Sequence, residues 1–242
     1  AQNPSATFVL NDSNESIMAI YAAVKDDCSA FMTRMDDLST QYLPLDKEAR
    51  KVFYYDLRRE HAFDYKKWSR TEEAATLYFL MKTGFNGIWQ INKNTDGRFG
   101  TPSGLLNQKD KVYDKDNVLE WKKALQRCTL MTGDFRETLS AATPNSYVFL
   151  DPPYRGSFTQ YGVDFDDDLQ ESVIKFLNDL TVKGAYVMMS NRDIGDGFFE
   201  ARQGRNDITY FDVTYTAGRR KKNEDGTHSA KKAREILMIG KK

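Results

Sequence analysis

Apolar residues come in two rhythms along this chain. Short unbroken runs end abruptly in a polar residue: Thr7-Phe8-Val9-Leu10 before Asn11-Asp12, Thr129-Leu130-Met131-Thr132 before Gly133-Asp134, and Tyr147-Val148-Phe149-Leu150 before Asp151. A fourth, Ala185 to Ser190, ends at Asn191. Runs without alternation predict strands buried on both faces, as in a parallel sheet. Between them lie segments of helical spacing. Ile17, Ile20, Tyr21 and Val24 mark a helix over 15–25, for which Asp12 or Ser13 can serve as cap. Further helices are predicted near 46–60, 71–83 and 118–125, with a short one after Phe135 and another from Asp166 to Leu180, whose acidic first turn suits its dipole. Residues 208–215 and 235–239 alternate like strands.

The rhythm breaks between about Phe31 and Tyr113. There GFNGIWQINKNTDGRFGTPSG, residues 84–104, places two β-like pieces around KNTDG, a good hairpin turn, and predicts a β-hairpin with a loop. The pattern divides the chain into a first α/β part (1–30), an insertion (31–116) and a second α/β part (117–242). The fold class is α/β: a Rossmann-like sheet with an inserted helical and β-hairpin recognition domain.

YVFLDPPY, residues 147–154, carries the chemistry. Pro152 and Pro153 have no N–H for a ladder, so the strand must stop and Asp151 must sit where it opens into a stiff turn. The plain alternative is a surface turn, since Asp-Pro often opens one. Acids ending three strands, with Asn191 ending a fourth, favour a cleft along one edge of one sheet, where open parallel sheets bind ligands. Asp151 and the Pro152 carbonyl can accept the two N–H bonds of an amino group on a planar base. That draws the nitrogen lone pair out of conjugation with the ring and toward an electrophile. Tyr154 can stack on the base. Such a base cannot be reached inside a duplex and must be flipped out. No cysteine follows a proline at a strand end, so covalent attack on a cytosine ring is not on offer.

Composition narrows the partners. Of 242 residues, 35 are basic and 35 acidic, so nucleic acid would have to meet a local basic patch. The candidate is Arg219-Arg220-Lys221-Lys222, followed by Lys231, Lys232 and Arg234; the alternative is a solvated hairpin tip. Cys28 and Cys128 form no CxxC or CxxH pattern, and His61 and His228 are the only histidines, so no metal site and a reducing, cytoplasmic setting are expected. No apolar run is long enough to span a membrane.

The chain resembles the Dam-like, alpha-ordered DNA adenine-N6 methyltransferases. The motifs are FVLNDSN (8–14), YYDLRREHAF (54–63), GFNGIWQIN (84–92), GDFRETL (133–139), DPPY (151–154), FTQYGVDF (158–165), SNRD (190–193) and AREILMI (233–239), in that order over nearly the whole chain. The resemblance implies S-adenosylmethionine as cofactor, with Asp12 on its ribose, Asp134 and Phe135 around its adenine, and Asp151 between its methionine amino group and the target amine. Pro152, Pro153 and Tyr154 complete the base pocket. It implies double-stranded DNA as partner, met by Phe85, Asn86, Gln90, Pro102 and Tyr154, with Arg219 and Arg220 on phosphates. A monomer or weak dimer in a bacterial or phage-infected cytoplasm is expected.

Two departures qualify the resemblance. The family's FxGxG strand should precede FVLND and is absent, so the chain is expected to be a fragment of a longer enzyme; a split enzyme and a decayed copy are the alternatives. Gln90, Leu105 and Leu106 stand where GATC-reading relatives tend to carry arginine. Arginine is the usual reader of guanine, so GATC specificity does not carry over. The competing functions are amine methylation of RNA or protein glutamine, and an inactive DNA-binding remnant; the inserted hairpin favours duplex DNA.

Overall fold

A computed structural model describes residues 5–104, 107–108, 110–156, 165–215, 221–222, 228–229 and 231–241. The chain divides into two compact units, residues 1–138 and 139–242.

The first unit opens with β1 (Phe8–Asp12) and continues through helices α1 (Glu15–Asp26), α2 (Cys28–Tyr42), α3 (Lys47–Phe63), α4 (Arg70–Thr83) and α5 (Lys115–Leu125) to β2 (Cys128–Thr132). The two strands pair in parallel, Phe8 against Cys128 and Asp12 against Thr132. Each helix starts where a side chain can take up its free N–H groups. Asn14, rather than Asp12 or Ser13, caps α1; Asp46 caps α3; Ser69 and Glu72 close a reciprocal capping box on α4. Residue spacing alone does not predict α2. Its buried face (Phe31, Met35, Leu38, Tyr42) has helical spacing, but the Ser, Thr and Asp residues between obscure it. α4 is buried nearly all round, and Phe31, Met35, Tyr42, Tyr54 and Phe79 pack in one core with Val24 of α1 and Val118 and Leu125 of α5.

The second unit runs through β3 (Tyr147–Leu150), α6 (Asp167–Val182), β4 (Tyr186–Asp193), α7 (Phe198–Arg202), β5 (Asp207–Tyr215), β6 (Lys221–Lys222), β7 (His228–Ser229) and β8 (Lys231–Ile239). β3, β4, β8 and β5 form one sheet in that order; β3 and β4 are parallel, and β8 runs antiparallel to both neighbours. The amphipathic α6, capped by Asp166, buries Val173, Ile174, Phe176, Leu177 and Leu180.

Two expectations are corrected here. The described strands form separate sheets, β1–β2 and β3–β4–β8–β5, and not one sheet with a common edge. The strands are also not buried on both faces. Val187 and Met189 of β4 are inaccessible, whereas Tyr147 and Phe149 of β3 are 81% and 60% exposed and Tyr186 and Met188 are also open. One face of this sheet is packed and the other presents apolar side chains. In β1, Phe8 and Val9 are likewise exposed.

His61 of α3 lies fully buried beside Trp68, and neither ring nitrogen has a partner among the described residues. Burial, aided by the positive charge of Arg98, pushes its pKa down from 6.5 to about 4. The neutral ring is therefore the folded form. As pH falls below 6.5 the unfolded chain gains a proton that the folded chain refuses, so stability declines until pH reaches about 4 and then levels off. The expected loss over that window is about 3 kcal/mol. Urea unfolding at pH 7 and pH 4.5 checks it: His61→Leu should flatten this part of the pH dependence.

Candidate active site

β3 ends at Leu150 because the two prolines that follow cannot donate to a ladder. Its last paired residue sits opposite Met189, so the next pair of positions brings Asp151 beside Ser190. The Ser190 hydroxyl donates to Asp151 Oδ1 at 2.7 Å. The other carboxylate oxygen makes no hydrogen bond among the described residues, and the side chain is exposed. Tyr154 follows, half-buried; burial raises its pKa, while the Ser190 hydroxyl, bonded to the phenol, opposes the rise.

Buried polar groups hold the turn. The Gln170 amide N–H donates to the Pro153 carbonyl at 2.7 Å, and the Asn191 amide donates to Gln170 Oε1 at 2.8 Å. Asn191 Oδ1 accepts from the Arg155 and Arg192 backbone N–H groups at 3.0 and 2.8 Å. Asn191 was expected at the sheet edge; it lies inside β4, wholly buried. The Arg155 side chain, also buried, forks onto Asp167 at 2.8 Å through two nitrogens, reaches Asp196 at 2.9 Å and stacks over Phe198. These charge-assisted bonds, that to Asp167 most, raise the arginine's pKa above its usual value and keep both acids ionised: the Arg155 bond lowers Asp167, and the Phe198 N–H and Arg155 bonds lower Asp196 against burial.

In the first unit, Asp12 and Asp134 stand at neighbouring strand ends, joined by a bond from the Gly133 N–H to the Asp12 carbonyl at 3.1 Å. Asp12 Oδ1 accepts from the Asn14 N–H, which shapes the turn into α1. Asp134 is chelated by Arg136, whose backbone N–H and guanidinium both bind it; this bonding holds its carboxyl below the usual range. The Arg136 guanidinium also lies over the Phe135 ring at 5.6 Å.

The segment 84–104 is a laced loop and not a regular hairpin. Only two isolated antiparallel bridges form, Gly84 with Ser103 and Ile91 with Phe99. The KNTDG turn does form, with Asp96 and Gly97 both at positive φ. Gly100 packs closely against the other side of the loop: a Cβ there would stand 2.3 Å from Asn92 Cβ. Phe85 and Pro102 are joined by a backbone bond of 2.9 Å, and Gln90 accepts from the Gly100 N–H at 2.6 Å. Asn86, exposed at φ 53°, projects from the same turn. Arg219 and Arg220, with most of FTQYGVDF, lie outside the described residues.

Composition and spacing assigned no role to Ser190, Gln170, Arg58 or Tyr54. The strand register would have found Ser190, one place beyond the last β3–β4 pair. The i,i+4 spacing of Tyr54 and Arg58 would have put both on one face of α3.

A mixed α/β fold with an acid at a strand end, followed by two prolines and an aromatic, fits the amino-methyltransferase layout that the motifs imply. The comparisons narrow the class. The model for the D12 class N6 adenine-specific DNA methyltransferases matches residues 1–196, and the chain belongs to that family. It is 33% identical to the Type II methyltransferase M.MjaIII of Methanocaldococcus jannaschii, over 82% of this chain and 70% of that protein. It is 30% identical to the Retron Ec67 DNA adenine methylase of Escherichia coli and 28% identical to the Type II methyltransferase M1.LlaDCHI of Lactococcus lactis. Those matches take in 77% and 76% of this chain but 62% and 64% of the relatives' length.

The laced loop depends on α3. Arg58 Nη1 donates to the Gly100 and Thr101 carbonyls, both at 2.9 Å, and the Tyr54 hydroxyl donates to Thr101 at 2.9 Å. Removing a charged donor from two carbonyls at Arg58→Ala is expected to destabilise by about 1.5–3 kcal/mol, read as a lower urea midpoint at unchanged m-value.

Proposed function

We propose that this chain carries the catalytic machinery of a site-specific DNA methyltransferase that moves a methyl group from S-adenosylmethionine to the N6 amine of adenine flipped out of duplex DNA. The observation that carries the reading is Asp151. It is an exposed carboxylate at the end of a strand, oriented by Ser190 through one oxygen and unbonded on the other among the described residues, in a turn that prolines stiffen.

The residues present fit the cofactor. Asp12 and Asp134 are carboxylates at neighbouring strand ends, the first suited to a ribose diol and the second to the amino group of an adenine stacked near Phe135. Arg136 must then release Asp134 or share it. When bound, S-adenosylmethionine supplies an electrophilic methyl group. The chain supplies acceptors: Asp151 and the Pro152 carbonyl bind the two N–H groups of the target amine and orient its lone pair. No bond to the Pro152 carbonyl is formed among the described residues. Tyr154 receives the face of the base. Residues 31–116 serve as the recognition insertion, with Phe85, Asn86, Gln90 and Pro102 on its DNA side and Arg219 and Arg220 on phosphates.

Two substitutions in the full-length enzyme test this. Asp151→Ala removes an acceptor aimed at the reacting amine and should slow transfer of labelled methyl by about 3–4 kcal/mol of barrier, with duplex binding kept. Turnover within about tenfold of wild type would show that Asp151 does not serve the amine.

Tyr154→Ala should weaken capture of the flipped base by about 1–3 kcal/mol, with Tyr154→Phe mild. The fluorescence of 2-aminopurine at the target position reports it; an unchanged signal would mean that Tyr154 only packs the loop.

A further inference from the structure

Gln170 and Asn191 are uncharged and wholly buried. Both amides are fully directed. Asn191 Oδ1 already accepts two backbone N–H groups, so its nitrogen must face Gln170; Gln170 must present oxygen to it, and its own nitrogen must face the Pro153 carbonyl. No flip of either amide satisfies the set. The relay joins three elements: α6 through Gln170, β4 through Asn191, and the turn at two points, the Pro153 carbonyl and the Arg155 N–H. Those points bracket Tyr154, and the first follows directly on Pro152. The prolines fix φ at 152 and 153 but leave ψ free. Anchoring the Pro153 carbonyl and the Arg155 N–H removes that freedom.

We propose that Gln170 and Asn191 are positioning residues for methyl transfer: their amide relay sets the backbone of the DPPY turn so that Asp151, the Pro152 carbonyl and Tyr154 face one target amine. This rests on the reading of the turn as the amine-binding element. Neither side chain touches substrate. Their loss should act on the reacting geometry, where small displacements are expensive, and spare the binding of DNA and cofactor made elsewhere.

The test uses the full-length enzyme with Gln170→Met, which keeps the bulk and removes both polar contacts, and Asn191→Asp. Asn191→Asp keeps the acceptor for the two N–H groups but offers Gln170 no donor. Gln170 must then turn its nitrogen to the carboxylate and its oxygen toward the Pro153 carbonyl. Both variants should lower kcat by roughly tenfold or more while KM for DNA and for S-adenosylmethionine stays within about twofold. In Gln170→Met, hydrogen exchange at the Arg155 amide should quicken while β4 keeps its protection. A kcat within about twofold of wild type in both variants would overturn the proposal. So would a parallel loss of kcat, KM and protection throughout α6 and β4, or failure of both variants to fold, since each marks a structural role only. A wild-type enzyme that leaves adenine unmethylated would instead refute the proposed function, and Arg155 exchange would still show whether the relay fixes the turn.

Discussion

Two adjacent residues without an N–H cannot sit in a hydrogen-bonded ladder, and the second unit is arranged around that fact. Pro152 and Pro153 end β3 while β4 continues for four more residues, from Ser190 to Asp193. That mismatch in length opens the site. Because β4 outlasts its neighbour, Ser190 and Asn191 have no strand partner on the β3 side and point to opposite faces. One turns its hydroxyl to Asp151 and the other its amide to the turn and α6. A single pair of neighbouring residues therefore steadies the side chain of the acid from one face and the backbone of the turn from the other.

Much of this was readable in advance. The DPPY turn, the acids at three strand ends and most helices follow from apolar runs, caps and proline chemistry, and the motif order points to the family. What escaped was whatever depends on distant residues meeting. Gln170 reads as an ordinary polar position on an amphipathic helix; only the fold brings it beneath Pro153. The pairing of Asp134 with Arg136 is local, yet no rule of spacing favours it over a free acid. In the loop at 84–104 the turn chemistry gave the turn but two isolated bridges in place of a ladder, and the bonds from Tyr54 and Arg58 to its carbonyls come from a distant helix that no local pattern shows. The unbroken apolar run of β3 predicted two covered faces, and the described structure covers one.

The first unit solves a different problem. Its α4 is packed on nearly every side between Ala74 and Leu80 and keeps its charges at its two ends, so charged side chains along the middle of a helix fall to its neighbours. α3 is the clearest case. One side supplies Tyr54 and Leu57 to the core, while Arg58 reaches the carbonyls of a loop that has no ladder of its own to satisfy them. The loop has bonds of its own, among them Phe85 N–H to the Pro102 carbonyl and Gly100 N–H to the Gln90 carbonyl, and the α3 side chains take up the Gly100 and Thr101 carbonyls beside them.

The shortness of β3 has a consequence for the chain's behaviour before it is fully folded. Among the described residues β3 is an edge strand, apolar at all four positions, with an open side and no lysine within it to discourage pairing. Segments that seed cross-β assembly typically need five to seven such residues in a row, without proline. Asp151, Pro152 and Pro153 stop the run at four. The residues that shape the turn of the candidate site thus also keep this edge short for self-pairing, and a substitution that removed the prolines would threaten solubility as well as the proposed catalysis.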